Sequence, residues 1–460
     1  MHWSVWLFVI SLLIVIATNW LYRWRNPKCN GKLPPGSMGL PLIGETLSFL
    51  VSNKSIDMPP FIKKRMKQYG PIFRTSLAGR PVVISSDPEF NHYVFQQEGK
   101  LVERWYMDSF AKILHQDATR INAQKNIHKY LRNLILGHFG TEVLKDKMLP
   151  KLEDAIDQRL QGWSKLSSLE VKKNTSAMIF DFSAKQLFSY EPEKAKENIA
   201  ESFTNFLQGL MSFTINIPGT AYHRCLQNQK KAINLITTMF EERKRNPEIR
   251  KGDFLDQILA DMKTETFFTD NFIIYMMFGL LIASFETISA TLTLAIKLIN
   301  DHPKVVQALT EEHEAILKSR EDVNSGLTWK EYKSMTFTHS VINEALRLGS
   351  VAPGILRRTI QDIQINGYTI PKGWALMVVP AALQLNPKTY EGSSCLQSMA
   401  LAGMTSCAGA DFSKVLMAVF LHVLFTKYRW TTIKGGEVIR SPTLGFGDGY
   451  YIQVSAKHKY

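Results

Sequence analysis

The chain has 460 residues, 45% apolar and 21% charged, with 55 Lys and Arg against 41 Asp and Glu for a net charge of +14. That balance excludes a disordered or low-complexity scaffold and is enough to bury a large core. The four scattered cysteines (Cys29, Cys225, Cys395, Cys407) form no CxxC pair, which excludes a disulfide framework and a zinc ribbon. No basic run is interleaved with exposed aromatics, so nucleic acid ranks below anionic lipid or an acidic protein as the partner of the positive charge.

The first element is an anchor. Trp3 to Tyr22 carries no formal charge, and twenty residues at about 1.5 Å each cross about 30 Å of hydrocarbon. Trp3, Trp6, Trp20 and Tyr22 stand near its ends, and Arg23, Arg25, Lys28 and Lys32 follow it, which assigns the C-terminal side to the cytosol. The run is too long for a cleaved signal peptide, and its charges lie on the wrong side. Residues 1–26 are therefore read as anchor and basic flank. Residues 27–44, with Pro34-Pro35 and Gly36, Gly39 and Gly44, are read as a stiff hinge, and residues 45–460 as one large domain.

Within that domain, Pro71–Leu77 and Pro81–Ser85 flank Ala78-Gly79-Arg80 as a hairpin. Helical patterns dominate from about 87 to 350, with Leu152, Ile156, Leu160 and Trp163 at helical spacing. The charged stretch Glu241–Pro247 reads as a solvated loop. Phe272–Ile296 holds a single charge, Glu286. A second membrane span would leave that acid near mid-bilayer, so a buried central helix of roughly 45 Å is expected. Asp270 would cap it, and His302-Pro303 would stop it. Asn366-Gly367 marks a tight hairpin turn, and residues 442–454 read as a final hairpin. The fold class expected is mainly α with a small β part.

His313-Glu314 begins a zinc-protease pattern, but Leu317 replaces the second histidine, and exposed helix charges account for the pair. Three other features carry chemistry. Ala283 and Thr287 share a helix face beside Glu286, where a flat group could lie and a hydroxyl beside a buried acid could relay protons; a core helix with one tolerated acid explains them as well. Glu344 and Arg347 are three apart on Phe337–Leu348, partly buried if Val341, Ile342, Leu346 and Leu348 surround them, or else an ordinary surface pair. Cys407, between Gly403 and Gly409, precedes an apolar helix from Phe412 to Tyr428. A thiolate there is a soft-metal ligand, while an inert core cysteine is the alternative.

Taken together and in this order, the anchor, the Pro-rich hinge and the phrases SFETISATLTLAIKLINDHP, INEALRLG and INGYTIPKGW resemble a plant cytochrome P450 over residues 30–460. The clan resembled oxidises brassinosteroids, gibberellins, sterols and triterpenoids. The resemblance implies haem b with Cys407 as axial thiolate, flanked by Gly403 and Gly409. It implies Thr287 and Glu286 as the oxygen-activating pair, Ala283 over the haem face, and Glu344–Arg347 as a structural ion pair. Arg132 and Arg357 would hold propionates, with Arg358 as fallback to Arg357, and His128 stands where tryptophan is common. Implied partners are an NADPH-dependent flavoprotein reductase, membrane lipid and an apolar polycyclic substrate, with no nucleic acid. The implied location is the endoplasmic reticulum membrane, single-pass, with a cytosolic catalytic domain.

The resemblance breaks around the cysteine. Ala400 and Thr405 stand where the family has an aromatic and an arginine, and no Lys or Arg occurs between Lys388 and Lys414. The stretch after Glu391 is roughly fifteen residues short of the family pattern. These departures add a second reading, a P450-like membrane protein with weak or absent haem and little or no catalysis.

Overall fold

The computed structural model describes residues 2–106, 125–194, 199–210, 212, 215–263, 268–322, 325–385 and 407–457, and within these all side chains except those of 2–5, 125–128, 194 and 208. It divides into two compact units.

The first unit comprises Met1–Tyr106, Ala352–Met404 and Ile439–Gly445. Its N-terminal helix, His2–Arg25, exposes its apolar side chains, as a segment meant for lipid does. Trp24 Nε1 donates to the Gly39 carbonyl at 3.3 Å, and the Thr369 amide donates to the Lys32 carbonyl at 2.8 Å, so the hinge is tied to the globular part. Gly36 sits at φ +145°, where a Cβ would meet the Arg74 carbonyl oxygen at 2.0 Å; only glycine lets the hinge lie this close to the sheet.

A five-stranded sheet runs in the order Ile72–Leu77, Arg80–Ser85, Ala375–Val378, Ile355–Thr359 and Val102–Arg104. The expected first hairpin is its edge. Alternating Ile72, Val83, Val102, Leu376 and Val378 face Phe90, Val94 and Trp374 as a core. The second expected hairpin pairs Ile363–Ile365 with Tyr368–Ile370 across Asn366 and Gly367, both at positive φ (51° and 74°), the geometry that an Asn-Gly turn favours.

The second unit, Met107–Val351 with Thr405–Val438 and Phe446–Tyr460, is helical around Asp270–Asp301. At 32 residues this helix is about 48 Å long. Every residue from Ile288 to Ile296 is buried, so the apolar run is core rather than a second span. Ser176, on the neighbouring helix Val171–Phe188, donates to Ser289 at 2.8 Å and fixes their register. The stop at His302-Pro303 holds, but the cap is Thr269, whose hydroxyl accepts from Phe272 N at 3.2 Å. Asp270 instead meets Lys244 at 2.7 Å.

Two other expectations need correction. Glu241–Pro247 is not all loop: the helix Ala221–Arg245 takes in its first five residues and is capped at Asn246. Arg243 is 7% exposed because Asp253 (3.1 Å to each oxygen) and Asp256 (2.5 Å) neutralise it. Residues 442–454 form no hairpin of their own. Leu444–Gly445 pairs with Ile439–Arg440, whereas Tyr450–Ala456 pairs with Tyr428–Gly435 and Leu169–Glu170.

Candidate functional site

Three helices of the second unit pack pairwise: the central helix, Thr336–Gly349 and Ala410–Lys427. The last is almost wholly buried from Phe412 to Phe425, which fixes its N-terminal end firmly. Cys407 lies in the turn just before it. The Cys407 carbonyl accepts from Ala410 N at 3.1 Å, and Gly409 is the N-cap residue, its carbonyl accepting from Ser413 N at 2.9 Å. A Cβ on Gly409 would meet nothing within 4 Å. The Cys407 thiol is exposed, which removes the inert-core alternative. Cys225 shows the contrast: it is fully buried, and burial pushes its pKa up to about 11.

Gly279, Ala283 and Thr287 are spaced by four on the central helix and so share one face. Ala283 and Thr287 are exposed, and a Cβ on Gly279 would meet nothing within 4 Å. On a helix whose other faces carry its buried residues, this is an open, flat strip.

The acid beside it is not buried against the hydroxyl. The Glu286 side chain is 33% exposed, and its Oε1 accepts from Lys172 Nζ at 2.6 Å. The Thr287 hydroxyl donates to the Ala283 carbonyl at 3.3 Å, and the Ser284 hydroxyl to Leu281 at 2.7 Å. The expected relay is therefore held apart by Lys172, a residue 114 positions upstream with no local signal for its role.

Glu344 and Arg347 do pair, with Arg347 Nε donating to Glu344 Oε2 at 2.7 Å. The partial burial expected for them holds for Arg347, whose side chain is 21% exposed, but not for Glu344. The Glu344 side chain is 47% exposed, because the apolar neighbours Ile342 and Ala345 turn to the opposite, buried face. Such a pair contributes about 0–1 kcal/mol. Glu344→Ala should therefore shift the melting temperature by no more than a few degrees, and a collapse of folded yield in a thermal scan would contradict the exposure.

Arg132 is half-buried on Lys125–Phe139. His128 lies on the same helix, its side chain outside the described residues, as are Gly403, Cys395, Ala400 and Thr405 entirely. In the first unit, Arg357 is 9% exposed and committed elsewhere. Its Nε and Nη2 donate to Glu98 Oε2 (3.1 and 2.8 Å), Nη1 donates to the Leu356 carbonyl (2.8 Å), and the guanidinium lies 5.1 Å from the Phe95 ring centroid. Burial pulls its pKa down, with Glu98 opposing. Arg358 pairs with Glu103 at 2.7 Å. Neither reaches an incoming carboxylate without giving up an acid.

Among the described residues, no three His, Cys, Asp or Glu side chains gather as a metal-binding group. An iron here would need a ring that supplies most of its ligands. Within the second unit, the exposed thiol before a helix N-terminus, the open strip on the central helix and the Arg132 guanidinium suit such a group; Arg357, in the first unit, is committed to Glu98.

The profile described as Cytochrome P450 matches residues 34–393, ending before Cys407. Cytochrome P450 87A3 of Oryza sativa subsp. japonica is 47% identical over 95% of this chain and 89% of its own length. The beta-amyrin 16-alpha-hydroxylase CYP87D16 of Maesa lanceolata and the cucurbitadienol 11-hydroxylase of Siraitia grosvenorii are each 44% identical, over 99% of this chain and 100% of theirs. The retinoic acid-bound cyanobacterial CYP120A1 superposes with a TM-score of 0.81 at 24% identity, covering 93% of this chain and 100% of that one.

Proposed function

The chain belongs to the cytochrome P450 family, and from that premise we propose that it hydroxylates a triterpenoid or sterol at the surface of the endoplasmic reticulum membrane. It is a haem-thiolate monooxygenase. The observation that carries the substrate class is the near full-length similarity to two triterpenoid hydroxylases. The bound haem would supply oxygen activation at a thiolate-ligated iron. Haem b is favoured over a covalently attached haem because the sequence contains no CxxCH.

The chain's own residues have separable tasks. Cys407 offers a soft sulfur ligand from a rigid helix start. Ala283 and Gly279 leave space for a planar face, and Arg132 offers a cation for an acidic edge. Thr287 holds a hydroxyl proton on that same face. Lys172 holds Glu286 turned aside, so Glu286 serves Thr287 only after that ion pair opens. Electrons would come from an NADPH-dependent flavoprotein reductase, whose acidic docking face the +14 chain suits. The single anchor His2–Arg25 would place the remainder in the cytosol.

The test uses the full-length chain in microsomes with such a reductase, offered tetracyclic and pentacyclic triterpenes and sterols. The expected outcome is an NADPH- and O2-dependent product with one added oxygen atom, from protein that stays in the pellet on carbonate extraction. A haem-loaded protein that oxidises none of these classes would overturn the substrate assignment. Extraction into the supernatant would overturn the anchor.

A further inference from the structure

The three-stranded sheet of the second unit has one long edge open. Its order is Leu169–Glu170, Tyr450–Ala456, Tyr428–Gly435. The eight residues of Tyr428–Gly435 therefore pair with Tyr450–Ala456 on one side and with no described strand on the other. The register decides which backbone groups face outward. The Lys457 amide donates to the Lys427 carbonyl opposite it at 2.8 Å. Bonded and unbonded pairs alternate along an antiparallel ladder. Arg429 and Thr431 thus bond to Ser455 and Gln453, while the Trp430 amide and carbonyl and the Thr432 amide point away from the sheet. Arg429 is exposed, and so is every residue from Thr431 to Lys434, with Ile433 at 49%. No described segment covers this edge.

The strand carries cations and no acid. Arg429 and Lys434 form no ion pair among the described residues. The residues opposite them, Ser455 and Tyr451, are neutral, and Lys434 Nζ lies 4.7 Å from the Tyr451 ring centroid. The register shifts by one between Tyr451 and Ile452, so the neighbouring strand meets the two cations with residues four apart, on one face. A strand on the open side meets them at the same spacing. A second copy of this edge is a poor occupant, because two such strands laid antiparallel set cation against cation.

We propose that this edge docks an extended acidic segment of a partner protein as a fourth strand, with acids four residues apart against Arg429 and Lys434. Backbone pairing with Trp430 and Thr432 supplies the attachment, and the two cations select the partner. The chain's net charge of +14 favours the encounter.

The full-length protein in phosphatidylcholine nanodiscs is titrated into fluorescein-labelled peptides, and binding is read as anisotropy. The peptide Thr-Glu-Val-Thr-Val-Glu-Thr reads the same in both strand directions and sets its acids four apart. It should bind at least about threefold tighter than the isomer Thr-Glu-Val-Thr-Glu-Val-Thr, whose acids fall on opposite faces. With the acids opposite Arg429 and Lys434, the Val amides face the edge. N-methylation of the two Val residues should therefore abolish binding, and N-methylation of the two Glu residues should leave it intact. Arg429→Gln and Lys434→Gln should each weaken binding about twofold to fivefold. Arg429→Glu/Lys434→Glu should reject the acidic peptide and accept Thr-Lys-Val-Thr-Val-Lys-Thr. Equal affinity for the isomer, or equal loss on methylating the Val and the Glu amides, would overturn the strand pairing and leave charge as the whole effect. Self-association in sedimentation that the acidic peptide displaces would overturn the partner segment in favour of a second copy. Absence of binding by the wild type would overturn the proposal outright.

Discussion

Between pH 7 and pH 5 the second unit should lose about 4 kcal/mol of stability through one buried pair, His313 and His422. His313 is fully buried and His422 is 2% exposed, with their Nδ1 atoms 3.1 Å apart. The neighbouring bonds fix the protons. The Thr338 hydroxyl donates to Glu312 at 2.5 Å, so it accepts from His313 Nε2 at 3.2 Å. His313 Nδ1 is then a bare lone pair, and His422 Nδ1–H donates to it. A further proton on His313 would set two N–H groups face to face.

Burial, with His422 beside it, pulls His313 down to about 3, against Glu312; Lys457 acts in the same sense as burial. Burial and Arg320 pull His422 down to about 4, against Glu331, with Lys427 again lowering it. Both folded values lie below the unfolded value near 6.5. The unfolded chain therefore binds more protons on acidification, and the stabilisation present above 6.5 is lost as pH falls toward 4. At pH 5 the loss is about 2 kcal/mol per histidine, a large share of the 5–15 kcal/mol typical of a folded domain. The measurement is the urea midpoint at both pH values. His313→Leu/His422→Phe should flatten the difference relative to wild type, and His422→Gln, which keeps a donor to His313, should roughly halve it. His138, lowered by burial too, adds the same sign in every variant and cancels in the comparison. Equal pH dependence in wild type and the double variant would refute a neutral buried pair.

Sequence pattern reveals a residue's role where the deciding partner is local. The central helix is legible because nine consecutive buried residues, Ile288–Ile296, have only apolar or small side chains, whatever packs on them. The Asn366-Gly367 turn is legible because its backbone angles are a property of those two residues. Arg243 and His313 are not. Exposed charge is the ordinary expectation for each, and their burial depends on Asp253 and Asp256 beyond a loop, and on His422 109 positions away. The glycines of 442–454 signal turns correctly but do not say which strand each side of the turn will join.

The candidate site divides in the same way. The small-residue spacing of Ala283 and Thr287 and the position of Cys407 before a helix are local facts, and the structure keeps them. The electrostatics are not local. Glu286 is governed by Lys172, and Arg357 by Glu98, 259 residues earlier. Glu344 was misjudged because apolar neighbours in sequence cover only one side of a helix, and the acid stands on the other.

Cys407→Ser should abolish the thiolate-type band of the reduced carbon monoxide complex and weaken haem retention by about tenfold or more, while leaving the fold intact. Serine offers a neutral, hard oxygen whose proton is not shed near neutral pH, so both the charge and the softness of the ligand are lost. A tenfold loss corresponds to only about 1.4 kcal/mol, modest for the removal of a charged ligand. The fold should be spared because the thiol is exposed and the turn is closed by backbone groups, Cys407 O with Ala410 N and Gly409 O with Ser413 N. Cys225→Ser is the reverse control. That sulfur is fully buried, so the new hydroxyl is desolvated and should cost about 1–3 kcal/mol without altering the band. Arg132 remains in Cys407→Ser to hold an acidic edge, so residual haem with an altered spectrum is the expected product rather than none. The readouts are haem per polypeptide, the reduced carbon monoxide spectrum and the melting temperature, taken on the same preparations. A thiolate-type band that survives in Cys407→Ser would remove Cys407 as the ligand, and Cys395→Ser would then be expected to abolish it.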